Sequence, residues 1–303
     1  MDCDVKNKIV VRIRGGLGNQ LFGYAFGKNL AIKNNYELIL DNYNAFEYDK
    51  KQYKRTFELD KFNTSFTYAN KKQLLHPFEK IQRNILKIYS SFKNFDQKLY
   101  IENFGFGYDN KYEKLKQIPL RFLDGMWQSE KYFIKIRKLL QKEISPSNQL
   151  DQLNLLNIKE IKSVNSVALH VRFFDDINSL EYHNINSEYY KKAIKYIKNK
   201  IQNPKFFIFS DNPQNVKYKI DLNSINYKIV DNNLEKQNNF KDLLLMKECK
   251  NFIIANSTFS WWASWLGSFE NKIIICPKNL IDFKYQVTTW GFNDQIPDDW
   301  IKL

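Results

Sequence analysis

The sequence predicts an α/β protein built on open, mostly parallel sheets. Three observations carry that prediction. Apolar, β-branched runs of strand length alternate with helical runs through the second half of the chain. The first strand passes into its helix through a glycine-rich turn. With 303 residues, the chain is long enough for two domains of ordinary size, each with its own core.

Taken in order, Ile9 to Arg14 reads as a strand, and Gly15-Gly-Leu-Gly-Asn-Gln20 turns it into a helix from about Leu21 to Ile32. Tyr36 to Asp41 is the next parallel strand, ending in an acid. Such a βα unit resembles a dinucleotide site, but its spacing argues against one: Gly16-x-Gly18 would need Gly or Ala at 21, where Leu21 stands. The stretch from Asn42 to Thr67 is irregular; Asn70 to Phe92 has helical period, interrupted at Pro77. Short strands follow at Leu99 to Asn103 and Leu120 to Leu123, and a helix ends near Glu143, with Ser129 as a candidate N-cap. The turn-rich, weakly patterned 144–165 region is the expected boundary. It leaves an N-terminal domain at 1–150, a second at 160–280, and a 281–303 tail that could return to the first. In the second, strands at 166–172, 205–210, 226–231, 251–255 and 272–276 alternate with helices at 187–201, after 210, at 239–250 and at 258–269.

Hydrophobic residues make up 43% and aromatics 16%, so the chain is globular. The net charge is +14, but the lysines are scattered and no nucleic-acid-binding motif accompanies them; a basic surface suits anionic nucleotides or the face of a membrane equally well. Three widely spaced cysteines, Cys3, Cys249 and Cys276, with no C-x-x-C pair point to a reducing compartment without structural zinc. No apolar leader or spanning run is present, which predicts a cytoplasmic protein, at most peripheral on the inner membrane. The sequons at Asn63 and Asn256 then carry no meaning. His76 and His183 lack metal-ligand spacing, Asp2-x-Asp4 precedes a strand where a metal-binding pair should follow one, and G-x-S-x-G is absent.

In an open parallel sheet, ligands bind beyond the carboxyl ends of the strands. Polar residues recur at four such ends: His170 and Arg172 with Asp175, then Ser210-Asp211, then Asp231, then Asn256-Ser-Thr258. His170 and Arg172, two apart, share a strand face. An arginine there requires an anion, either Asp175 or a phosphate that its fork can grip. Ser257 and Thr258 open a helix, as caps or as phosphate ligands. Asp231 either begins a turn or accepts from the N1–H and N2–H of guanine. Trp261, Trp262 and Trp265 read as core.

Four segments, in order, resemble the bacterial α-1,2-fucosyltransferase family, glycosyltransferase family 11. They are Gly15-Gly-Leu-Gly-Asn-Gln-Leu-Phe-Gly-Tyr-Ala-Phe-Gly-Lys28, Asp124-Gly-Met-Trp-Gln-Ser-Glu-Lys-Tyr-Phe133, His170-Val-Arg172 with Asp175, and Ile253-Ile-Ala-Asn-Ser-Thr-Phe-Ser-Trp-Trp262. The resemblance implies a GT-B-like architecture of two Rossmann-like domains facing a cleft. It also implies inverting, metal-free transfer of L-fucose from GDP-β-L-fucose to the 2-hydroxyl of a galactoside in a glycan or glycolipid such as an O-antigen or capsule intermediate. Arg172 would hold the β-phosphate, positioned by His170 and Asp175. Gly16, Gly18, Asn19 and Gln20 would lie on the acceptor side, with Asp41 and Glu130 as base candidates by region. No cofactor, nucleic acid or obligate protein partner is implied. Phe173 departs from the family pattern, which has a second Arg there. The donor therefore stays open between GDP-fucose and another GDP-linked deoxy sugar such as colitose. A non-catalytic basic Rossmann protein that binds nucleotides or RNA is the alternative class.

Overall fold

The computed structural model describes residues 6–47, 55–105, 107–173, 185–235, 238–278, 280–282 and 287–303. The chain divides into two compact units, Met1–Ile144 with Asn293–Gln295, and Ser145–Phe292 with Ile296–Leu303.

The first unit is built on five parallel strands, β1 (Lys8–Arg12), β2 (Glu37–Asp41), β3 (Thr67–Tyr68), β4 (Tyr100–Asn103) and β5 (Leu120–Gly125), ordered β3-β2-β1-β5-β4. Helix α1 (Leu17–Lys33) begins one turn earlier than the glycines suggest. The sharp turn is confined to Gly15, at φ +71°, so Gly16 is already the N-cap. Apolar residues occupy most sides of α1, the mark of a buried helix. Gly27 lets it lie against β1: a Cβ there would stand 2.5 Å from the Val11 side chain. A short helix α2 (Asn44–Glu47) follows β2, and α3 (Glu79–Ser91) precedes β4. The helix expected to end near Glu143 is broken: 3-10 turns at Glu130–Tyr132 and Ile134–Ile136 come before α4 (Arg137–Glu143). Ser129 does cap the first turn, accepting from the Lys131 N–H.

The second unit opens with a helix, α5 (Gln152–Ser163), where the sequence pattern suggested none. Its apolar period is hidden because it buries Asn154 and Asn157 and exposes Leu153 and Leu156. Those asparagines bond Asn233 and Asn232 at 3.1 and 3.0 Å. Then come β6 (Asn165–Val171), α6 (Ser187–Lys200), β7 (Pro204–Ser210), β8 (Asn226–Ile229), α7 (Asn239–Lys247), β9 (Asn251–Ile253), α8 (Thr258–Leu266) and β10 (Ile274–Cys276). A β11/β12 hairpin (Leu280–Asp282, Val287–Trp290) precedes β13 (Ile301–Lys302), which adds a sixth strand that two residues of pattern could not announce. The order β13-β10-β9-β6-β7-β8 is, read from the other edge, the 3-2-1-4-5-6 of the doubly wound fold. All its pairings are parallel. Val167, Leu169 and Val171 face α6, in a core with Tyr190, Ala193 and Ile197. The three tryptophans of α8 are core, and Trp300 joins them at 5.6 Å from Trp261.

Candidate active site

In the second sheet the strand order reverses between β6 and β9, and at such a switch point the loops diverge and leave a crevice. Arg172 lies just past β6, and Asn256 and Ser257 lie between β9 and α8, whose first residue is Thr258. The Arg172 guanidinium donates to Asp211, past the end of β7, at 3.0 Å, and its side chain remains 23% exposed. The other Asp211 oxygen accepts from the Phe173 N–H at 2.9 Å. Asp211 therefore ties the ends of β6 and β7 together and aims the arginine. Asp175, the partner expected from sequence, lies outside the described residues.

His170 is buried, its ring 5.9 Å from that of Phe259 at the start of α8. Its Nδ1 has no hydrogen-bond partner. Burial, helped by the nearby Arg172 charge, pushes its pKa down to about 3, so it is a neutral imidazole at physiological pH. Phe173 turns to the other side of the sheet and packs against the α6-side core, away from His170, as period 2 requires. Lys219 lies over the Phe173 ring at 4.6 Å and donates to the Arg172 carbonyl at 3.1 Å. A cation thus stands near the position where a second arginine was expected, and neither spacing nor period in the sequence could have revealed it.

The other predicted strand-end residues fall on the same edge. Ser210 ends β7, and its hydroxyl accepts from the Asn212 N–H at 3.0 Å. Asp231 is exposed beyond β8. Ser257 caps α8 by accepting from the Phe259 N–H at 3.3 Å, and Thr258 is the first helical residue. Capping holds the Ser257 side chain but leaves other first-turn N–H groups of α8 without an intrahelical acceptor.

In the first unit, Asn19 sits in the opening turn of α1 and accepts from Gln128 at 2.9 Å; Gln128 in turn accepts from Gln295 at 3.1 Å. Gly16 is the N-cap, and Gly18 is buried in the first turn. Gln20 needs correction: it is fully buried, donates to the Gly15 and Thr56 carbonyls at 2.9 and 2.8 Å, and accepts from the Glu58 N–H. Such an amide stitches a loop to a helix and has no face left for an acceptor. Asp41 is likewise a turn carboxylate, accepting from the Tyr43 and Asn44 N–H groups and the Asn44 amide. Glu130 begins a 3-10 turn.

Sequence reasoning missed a charged cluster at the carboxyl edge of this sheet. Arg12 pairs with Glu79 at 2.8 Å and lies 3.8 Å from Asp124, which also binds Arg14 and accepts from the Tyr100 hydroxyl. The signal was available: Arg12 and Arg14 stand two apart at a strand end, as His170 and Arg172 do. Beside the cluster, the end of β4 and the following loop line a cavity of about 650 Å³ that includes Asn103, Phe104, Tyr108 and Asp109.

Comparison with known proteins decides the family. Residues 8–303 match Glycosyl transferase family 11. The chain belongs to glycosyltransferase family 11. One family relative, an alpha-1,2-colitosyltransferase of Escherichia coli, is 29% identical over 97% of this chain and 98% of its own length. Another, the O-antigen biosynthesis glycosyltransferase WbnK of Escherichia coli, is 31% identical over 88% and 92%. Among solved structures, a FUT1 mutant of Arabidopsis thaliana in complex with GDP superposes with a TM-score of 0.54 at 13% identity, covering 90% of this chain and 71% of that one. The family 11 chain therefore has the GT-B-like fold of two Rossmann-like units and is a glycosyltransferase.

Proposed function

We propose that this enzyme moves L-fucose from GDP-β-L-fucose to the 2-hydroxyl of a galactoside in a larger glycan, with inversion and without a metal cofactor. The observation that carries this reading is Arg172: a guanidinium at the switch point of a nucleotide-type sheet, aimed by Asp211 and still reachable from solvent. A diphosphate beside it gains negative charge as the bond from the sugar C1 to the β-phosphate oxygen breaks. A fixed cation stabilises that state more than the ground state. The new bond forms between C1 and the acceptor oxygen on the opposite face as the bond to the β-phosphate oxygen breaks, GDP departs, and the hydroxyl proton passes to solvent water. Asn256, the N-terminus of α8 with Ser257 and Thr258, and Ser210 would complete the phosphate and ribose contacts, and Asp231 would accept from guanine. Asp175 belongs to this proposed set. Gly16, Gly18 and Asn19 would serve the acceptor side.

A second reading, transfer of the 3,6-dideoxy sugar colitose from GDP, is favoured by the similarity to the named colitosyltransferase. NMR of the products formed with GDP-fucose and with GDP-colitose on a panel of galactosides separates the two; an α-1,2-fucosyl product is expected. GDP at about 100 times its Kd should stabilise the fold by about 2.7 kcal/mol, with no shift from ADP. A shift from ADP and none from GDP would remove the guanine contact. Turnover should survive EDTA, and a loss restored by Mn²⁺ would overturn the metal-free scheme.

A further inference from the structure

Helix α3 is oriented against its own pattern. Its two buried residues are polar, and Leu86 packs inward beside them: Glu79 pairs with Arg12, and the Ser90 hydroxyl accepts from the Tyr100 N–H at 2.9 Å. Its outer side carries Phe78, Ile81, Ile85, Ile88 and Phe92, spaced three, four, three and four, each 59 to 83% exposed. A stripe of five large apolar side chains at helical spacing is not scattered surface hydrophobicity. The surroundings are basic. Across residues 71–93 six lysines and arginines accompany one acid, Glu79, whose side chain is buried against Arg12. Lys71, Lys72, Lys80 and Lys93 are exposed around the stripe.

We propose that α3 binds the surface of an anionic phospholipid bilayer, with the isoleucine and phenylalanine stripe in the headgroup–acyl boundary and the flanking lysines at lipid phosphates. A second copy of this chain fits less well. The 13 residues of α3 span about 20 Å, under two heptads. The positions beside the stripe, Gln82, Asn84, Tyr89 and Ser91, carry no charges to set a helix pairing. Among the described residues no helix is long and apolar enough to cross a membrane, so this contact would be one of lying on the surface. It holds whichever sugar is transferred, and its readout does not require turnover.

The test is flotation of the full chain with vesicles of phosphatidylethanolamine and phosphatidylglycerol, against vesicles of phosphatidylcholine alone. Binding to the anionic vesicles, weakened by salt, is expected. Ile81→Ser/Ile85→Ser/Ile88→Ser should abolish it, and Lys80→Gln/Lys93→Gln should weaken it by about fivefold per lysine. Both variants should retain the wild-type melting temperature and turnover on a soluble galactoside. The proposal is overturned if the wild type does not float with anionic vesicles, or if the lysine variant floats as well as the wild type. It is overturned equally if sedimentation shows a dimer that Ile85→Ser splits into monomers.

Discussion

Each unit places an arginine at the carboxyl end of a central strand, Arg12 as the last residue of β1 and Arg172 just past β6, and the two are put to opposite uses. Arg12 lies between Glu79 and Asp124, with side chains 10%, 3% and 1% exposed. Arg172 meets Asp211 at its side and remains 23% exposed at a sheet edge. The first arrangement is a closed ion cluster that pins α3 and two strand ends; the second holds a cation in place for something else to meet. The sequence context is nearly the same, an apolar strand running into arginine. What distinguishes them is the carboxylates that tertiary folding brings up, from residues 67 and 112 positions away for Arg12 and 39 for Arg172.

The widest separation between the two should come from removing each guanidinium. Arg12→Ala removes the cation between two buried carboxylates, leaving Glu79 only the 3.5 Å pair with Arg83 and Asp124 only Arg14 as cationic partners among the described residues, and should destabilise the fold by about 3 kcal/mol, read by denaturant titration. A loss under 1 kcal/mol would mean the cluster is not structural. Arg172→Ala should leave stability nearly intact and lower turnover by about 10²–10³-fold, the range for removing a group that stabilises transition-state charge. Turnover near wild type would take Arg172 out of the mechanism.

A smaller effect probes the second unit away from Arg172. Burial pushes the Asp242 carboxyl up to about 7, although the Asn233 amide, 2.8 Å away, pulls it down. The folded state keeps a proton that the unfolded chain releases near pH 4, so this contribution is full below that pH and is lost as pH rises to about 7. Asp242→Asn should flatten the fall in melting temperature between pH 5 and 8, by about 1–2 kcal/mol of stability. The acid side should be unchanged. There His170, neutral in the fold down to about pH 3, costs stability as pH falls from about 6.5, because the unfolded chain takes up a proton that the fold excludes. An unaltered alkaline limb in the variant would show that Asp242 is ionised throughout.

The inner strands of the second sheet, β6, β7, β9 and β10, were legible because they are largely apolar runs buried on both faces, and the strand ends gather the residues expected there. Arg172, Ser210, Asp231 and Asn256 fall at successive ends because topology alone aligns them. Helix α5 was not legible, since its buried asparagines are satisfied by partners some 75 residues away, which no local period encodes. Pattern also fails to say which side of a helix faces inward. In α6 the apolar side, with Tyr190, Ala193 and Ile197, is buried as expected, whereas in α3 an equally regular stripe points outward. The role of Gln20 was misread because a polar residue beside a glycine turn suggests a ligand, while its amide proved to be fully engaged by backbone.

The last eleven residues serve both units. Asn293–Gln295 belong with the first, through the Gln295 to Gln128 bond and the Asp294 pair with Lys131 at 2.5 Å. Ile301–Lys302 complete the sheet of the second, and the Leu303 N–H reaches the Cys276 carbonyl at 3.0 Å. A ribosome delivers a polypeptide from its N-terminal end, so both halves of this enzyme must wait, unfinished, for the same short stretch to emerge. Severing the chain between 144 and 145 and expressing the pieces separately would leave the leading piece permanently short of a part that only the trailing one encodes.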